Sequence, residues 1–221
     1  MKMPRAHAKQ RHYRGLYIKY STKLGNMQEQ RKDDHQTLEK LFEGLSYERM
    51  STYLQFSNND KEKALKLYIH NTRISESFYT SLQGLEVLLR NSVHKAVSRK
   101  YGERWLFNTR FPFEYIQKKT LEDALAKAKV ELTTSKLIAE LNLGFWVSLF
   151  GRKYEEVWRH SLRSIFRQEV LTRKELHIEL SRIRELRNRI AHHEPIFKRQ
   201  LEEDHTAILK VIHMICPITG K

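Results

Sequence analysis

With 221 residues, 40% of them apolar, and a formal charge of +15, the chain is long enough for one substantial core and basic enough to recruit polyanions, nucleic acid first among them. Nowhere does it approach the roughly 18 consecutive apolar residues of a membrane span, and its first 30 residues lack a secretory signal's apolar centre, so a cytoplasmic protein with no membrane partner is expected. The single cysteine, Cys216, forms no internal disulfide and stands at no zinc-finger spacing, so no disulfide framework, metal or other cofactor is expected, and Cys216 reads as a small core residue.

The charge is uneven. Residues 1–32 hold nine Lys or Arg and one acid, a net +8. This basic arm reads either as a solvated tail or as a segment that orders on RNA. In the second reading Lys9, Arg11, Arg14 and Lys19 meet phosphates, and Tyr13 and Tyr17 stack on bases, with His12 and Tyr20 interleaved among them.

The remainder, residues 33–221, reads as one all-α domain, with few Gly, three Pro and no sustained period-two alternation. A helical pair is predicted over 36–56, broken near 44–46, where Ser46 can cap the second piece, and Asn58, Asn59 and Asp60 form a turn. Ile74, Phe78, Leu82, Leu85, Leu89, Val93 and Val97 then recur every three or four residues, an apolar stripe on a long helix ending at Gly102. In the loop 103–112, Trp105, Phe107 and Phe111 read as plugs for a helical core. Helices follow over 113–132 and 135–150, the second a buried one carrying Leu137, Leu141, Phe145, Trp146, Leu149 and Phe150, then a shorter amphipathic piece over 154–170. Thr172 and Glu175 have capping-box spacing, which starts a helix near Arg173. Leu176, Leu180, Ile183, Leu186 and Ile190 bury its face, and Pro195 ends it close to His193. A last helix covers 201–215.

The end of that penultimate helix concentrates cations, an amide and two imidazoles: Arg187, Asn188, Arg189, His192 and His193. Arg187 and His192 lie about 140° apart on a helical wheel, so one helix does not set them side by side, whereas Asn188 and His192 are four apart and share a face. Two copies facing each other would bring both kinds of group around one phosphate. A polar helix end that merely satisfies its own carbonyls remains the simpler reading, and His192, His193 and Glu194 are too close in sequence to make a metal site.

The run 185–196, Glu-Leu-Arg-Asn-Arg-Ile-Ala-His-His-Glu-Pro-Ile, resembles the signature of Abi-like (abortive infection) proteins, a branch of the HEPN superfamily with an Arg, four to six residues, His motif. Both His192 and His193 fit the spacing, with His192 preferred and His193 second. The stretch 141–150 resembles the family's Gly-aromatic-Trp helix, and Glu86 to Asn91 its Glu-x-x-x-Arg-Asn element, so the likeness covers about residues 35–217 and leaves the arm outside.

The resemblance implies a compact HEPN-type helical bundle that dimerises and cleaves single-stranded RNA without metal as a toxin or abortive-infection effector, held by an antitoxin protein or RNA. It implies that Arg187, Asn188 and His192 are catalytic, with His193, Glu86, Arg90 and Asn91 in support, and that Arg189 joins the arm in holding RNA. Glu86 is expected to hold Arg90 near the cleft, or alternatively Glu86, Arg90 and His94 form a salt-bridged strip. A non-catalytic HEPN module gripping a structured or antitoxin RNA is the alternative function. A membrane protease is discarded for want of spanning segments.

Overall fold

The computed structural model describes residues 33–127, 133–166 and 171–217. Among them every regular element is helical, as the missing period-two pattern predicts. The basic arm, with Lys9, Arg11, Tyr13, Arg14, Tyr17 and Lys19, lies outside the described residues. The described residues divide into two compact units, with the boundary between Ile69 and His70.

In the first unit, α1 (Asp33–Leu45) and α2 (Tyr47–Phe56) are separated at Ser46. Ser46 has φ 69° and its side chain accepts a hydrogen bond from Arg49 N at 3.3 Å, so the expected break and cap are both present. Asn58 and Asn59 follow in the left-handed region, at φ 51° and 61°, which the short polar side chain of Asn tolerates. Asp60 then starts α3 (Lys61–Tyr101), its carboxylate accepting from Lys63 N at 3.0 Å. That bond is the chief reason its carboxyl sits below the usual range.

In the second unit α3 lays down the predicted stripe: Phe78, Leu82, Leu85, Leu89, Val93 and Val97 are buried and Ile74 packs against them. Gly102, at φ 82°, ends the helix where a side chain would be strained. Trp105 is fully buried, with ring centroids 4.8 Å from Phe111 and 5.7 Å from Phe113, so the loop aromatics fill the core. Burying each such side chain contributes about 1.5–3 kcal/mol.

Then come α4 (Tyr115–Lys127), α5 (Thr134–Glu140), α6 (Leu143–Ser148), α7 (Glu155–His160), α8 (Arg173–Ala191) and α9 (Leu201–Ile215). Residues 128–132 and 167–170, the ends of two predicted helices, lie outside the described residues. The single helix predicted over 135–150 is two. Asn142 is the reason: its side chain accepts from Phe145 N at 3.0 Å and caps α6, while Leu141 turns extended and its carbonyl accepts from Trp146 Nε1 at 3.3 Å. The break lets Leu137 and Ile138 on one side, and Phe145 and Trp146 on the other, all reach the core. Cys216 is half-buried rather than a core residue. No helix among the described residues is long and apolar enough to cross a membrane.

Candidate functional site

The site is built on α8, whose start and rotation are set locally. Glu175 N donates to Thr172 Oγ1 at 3.3 Å while the Glu175 carboxylate accepts from Thr172 N at 2.8 Å, the capping box expected from the spacing. These hydrogen bonds to Thr172 hold the Glu175 carboxyl below its usual range. Leu176, Leu180, Ile183 and Leu186 are buried, which fixes the helix rotation and turns Arg187 toward α3.

The helix stops in a Schellman motif. Glu194 N donates to Arg189 O at 2.8 Å and His193 N to Ile190 O at 3.1 Å, so the position just past the cap, which favours glycine, is His193 at φ 57°. A left-handed conformation costs a residue with a Cβ about 1–2 kcal/mol, so the surroundings must hold it.

Asn71, on α3 and only 4% exposed, is one such support. Its Oδ1 accepts from Ile196 N at 2.7 Å and Phe197 N at 3.2 Å, and its Nδ2 donates to Glu194 O at 3.3 Å. Arg189 is another: its guanidinium donates to Pro195 O from Nε at 3.3 Å and Nη2 at 3.1 Å, with the Glu194 carboxylate 3.7 Å away. Farther on, buried Asp204 accepts from Arg199 Nε and Arg182 Nε, both at 2.8 Å, and Arg199 Nη1 donates to Glu185 at 2.8 Å. Burial pushes the Asp204 carboxyl up, but these guanidinium bonds outweigh it and leave it below its ordinary value. The segment leaving the motif is therefore clamped at both ends.

Beside this turn α3 and α8 enclose a groove of about 320 Å³. α3 contributes Tyr79, Gln83, Glu86, Val87 and Arg90, a stripe at helical spacing, and α8 contributes Arg187, Ile190 and Ala191. Glu86 Oε2 pairs with Arg187 Nε at 3.5 Å, the two side chains being 20% and 34% exposed. Arg90 Nε is buried with no hydrogen-bond partner.

Arg187, Glu86 and Arg90, taken from two separate sequence blocks, thus share one groove. The described ion pair of Glu86 runs to Arg187 and not, as expected, to Arg90. Nor does His94 extend a strip with them. Its Nδ1 accepts from buried Trp105 Nε1 at 3.0 Å and its Nε2 lies 3.2 Å from Glu103, a core-facing and a loop contact. Asn91, Asn188, His192 and His193 are exposed; His192 caps α8 with its N donating to Asn188 O at 2.9 Å, and it does not line the groove. Arg189, expected to hold RNA, directs its guanidinium at the turn.

Asn71 was missed, although its signal was available: it stands three residues before Ile74 in the register of the buried stripe, where an amide needs partners. Tyr79 and Gln83 carried no signal without the groove. Among the described residues no three His, Cys, Asp or Glu side chains gather to hold a metal ion. No family model, curated protein or solved structure matches this chain.

Proposed function

We propose that the protein is a metal-independent endoribonuclease that cuts single-stranded RNA as a homodimer and serves as a toxin or abortive-infection effector under an antitoxin protein or RNA. The observation that carries this reading is the groove in which Arg187, Glu86 and Arg90 converge beside the helix end that bears His192. The likeness of residues 185–196 to the Abi-like HEPN signature supports the same assignment.

The chemistry needs little beyond these groups. RNA supplies its own nucleophile, the 2′-hydroxyl. As its oxygen bonds to phosphorus, its proton passes to a neutral imidazole; as the bond from phosphorus to the 5′-oxygen breaks, an imidazolium protonates that oxygen. The products are a 2′,3′-cyclic phosphate and a 5′-hydroxyl. Arg187, permanently charged and planar, stabilises the crowded phosphate, and His192 of the facing copy moves the protons, its imidazole taking the 2′-hydroxyl proton as base and, once protonated, delivering one to the leaving 5′-oxygen as acid. Asn188, one turn before His192, orients it.

That His192 does not line the groove favours a second reading, a module that holds a structured or antitoxin RNA without cutting it. Purified protein and an Arg187→Ala, His192→Ala double variant, incubated with mixed single-stranded RNA in EDTA, separate the two. Cyclic-phosphate ends from the wild type alone support the nuclease. Intact RNA retained by the wild type and lost by the variant supports the binding module.

A further inference from the structure

We propose that the groove beside Arg187 is a pocket for one unpaired nucleobase, in which the Tyr79 ring is the stacking platform and the Gln83 amide reads the base edge. The inference rests on the reading above in taking Arg187 as the residue that holds the neighbouring phosphate. Tyr79 is 58% exposed although it lines a cavity, so its ring is uncovered on a concave surface. A base lying on it gains about 5- to 150-fold in affinity per stacked ring, for any base, because every base has a π-face.

Around the ring the groove sorts its chemistry by position. Leu82, Val87 and Ile190 form an apolar wall suited to a base, while Arg90 and Arg187 bring two permanent cations suited to phosphate. Tyr79 and Glu86, the partner of Arg187, are seven residues apart on one helix, about 10 Å along its axis, so ring and guanidinium sit near the opposite ends of one nucleotide. Gln83 lies one turn from each end and is exposed. Its carboxamide offers a donor and an acceptor side by side, the complement of the adjacent donor and acceptor on the edge of an unpaired base, such as adenine's N6 and N7. Glu86 already faces Arg187 with a carboxylate, which leaves Arg90 Nε, buried and without a partner, as the donor in the groove still to be satisfied.

Mononucleotides test the pocket without needing a scissile bond. Binding of AMP, CMP, ribose 5-phosphate and inorganic phosphate to the full chain is measured by calorimetry for the wild type, Tyr79→Ala, Tyr79→Phe, Gln83→Leu and Arg187→Ala. AMP is expected to bind at least about tenfold more tightly than ribose 5-phosphate. Tyr79→Ala should erase that difference and Tyr79→Phe preserve it; Gln83→Leu should weaken AMP and CMP while leaving ribose 5-phosphate and inorganic phosphate unchanged, and Arg187→Ala should weaken all four ligands alike. Equal affinity for AMP and ribose 5-phosphate in the wild type overturns the pocket, as does a loss of dimer with unchanged AMP binding in Tyr79→Ala, which would give the groove to a second copy. RNA cleavage with no base-dependent binding removes the pocket and leaves the nuclease. AMP binding that depends on Tyr79, without any RNA cleavage, removes the nuclease and leaves the pocket.

Discussion

Glu86 Oε2 lies 3.5 Å from Arg187 Nε, so the cation assigned to the phosphate already has an anion beside it. That carboxylate both orients the guanidinium and repels an incoming phosphate. The two roles pull kinetic constants apart. In Glu86→Gln, RNA should bind several-fold more tightly, since a partly exposed pair at this separation is worth about 1 kcal/mol. Turnover should fall about tenfold as Arg187 loses its fixed direction. Steady-state cleavage kinetics, giving a lower KM with a lower kcat, check this; a higher KM would mean that Glu86 contacts RNA favourably.

Arg187 lines the groove and His192 does not, so in the proposed homodimer each site would pair Arg187 of one copy with His192 of the other. Arg187→Ala and His192→Ala proteins should each lose about 10²–10⁴ of the cleavage rate. Mixed and allowed to exchange subunits, they should regain about a quarter of wild-type activity, since half the dimers carry one intact site. No recovery after verified exchange would place both groups of each site within one chain.

How far the sequence carried depended on whether a feature was local. The start of α8 follows from Thr172 and Glu175, and its end from Pro195, because caps and proline act within a few residues. The apolar stripe of α3 is legible for the same reason. The break at Asn142 was not, because its capping bond competes with a continuous helix and tertiary burial of Phe145 and Trp146 decides the contest. Helical spacing set Glu86, Arg90 and His94 on one face, but only the crossing of α3 with α8 and the fold of the Trp105 loop chose their partners.

Asn71 should matter more than its absence from any recognisable motif suggests. Asn71→Leu leaves Ile196 N and Phe197 N without their acceptor in a buried setting, at a cost of about 3 kcal/mol in urea unfolding. Asn71→Asp keeps the acceptor, loses the bond to Glu194 O and should fall between the two. If the clamp also sets the His192 turn, Asn71→Asp lowers kcat with KM unchanged; equal loss in both constants would confine Asn71 to holding the fold.

Acid should destabilise the protein in two steps. Burial, with Arg173 and Arg184 adding to it, lowers the His177 pKa, so the folded state resists a proton that the unfolded chain takes up near 6.5. Stability therefore begins to fall below about pH 6.5. Asp204 is held below its ordinary value, so its contribution is complete above about pH 4 and is lost as the pH drops through its lower folded value. Urea midpoints across pH should show both limbs. His177→Gln should remove the upper one alone, and Asp204→Asn should cost about 3 kcal/mol at pH 7 and flatten the lower one. A single limb below pH 4 in the wild type would show that His177 titrates alike folded and unfolded.

His193 occupies, at φ 57°, a position where glycine is favoured, and the surrounding turn holds it there. His193→Gly relieves the Cβ clash but gives the unfolded chain more freedom, so the net gain should be about 0.5–1 kcal/mol. His193→Val, branched at the offending carbon, should lose about 1–2 kcal/mol. Thermal unfolding of the two variants against the wild type checks the signs. A gain in His193→Gly would mean that the imidazole is kept at a cost to stability, which is the signature of a side chain retained for what it does in the site. A loss would mean that the contacts of His193 already offset the strain, and the turn would then need no functional explanation.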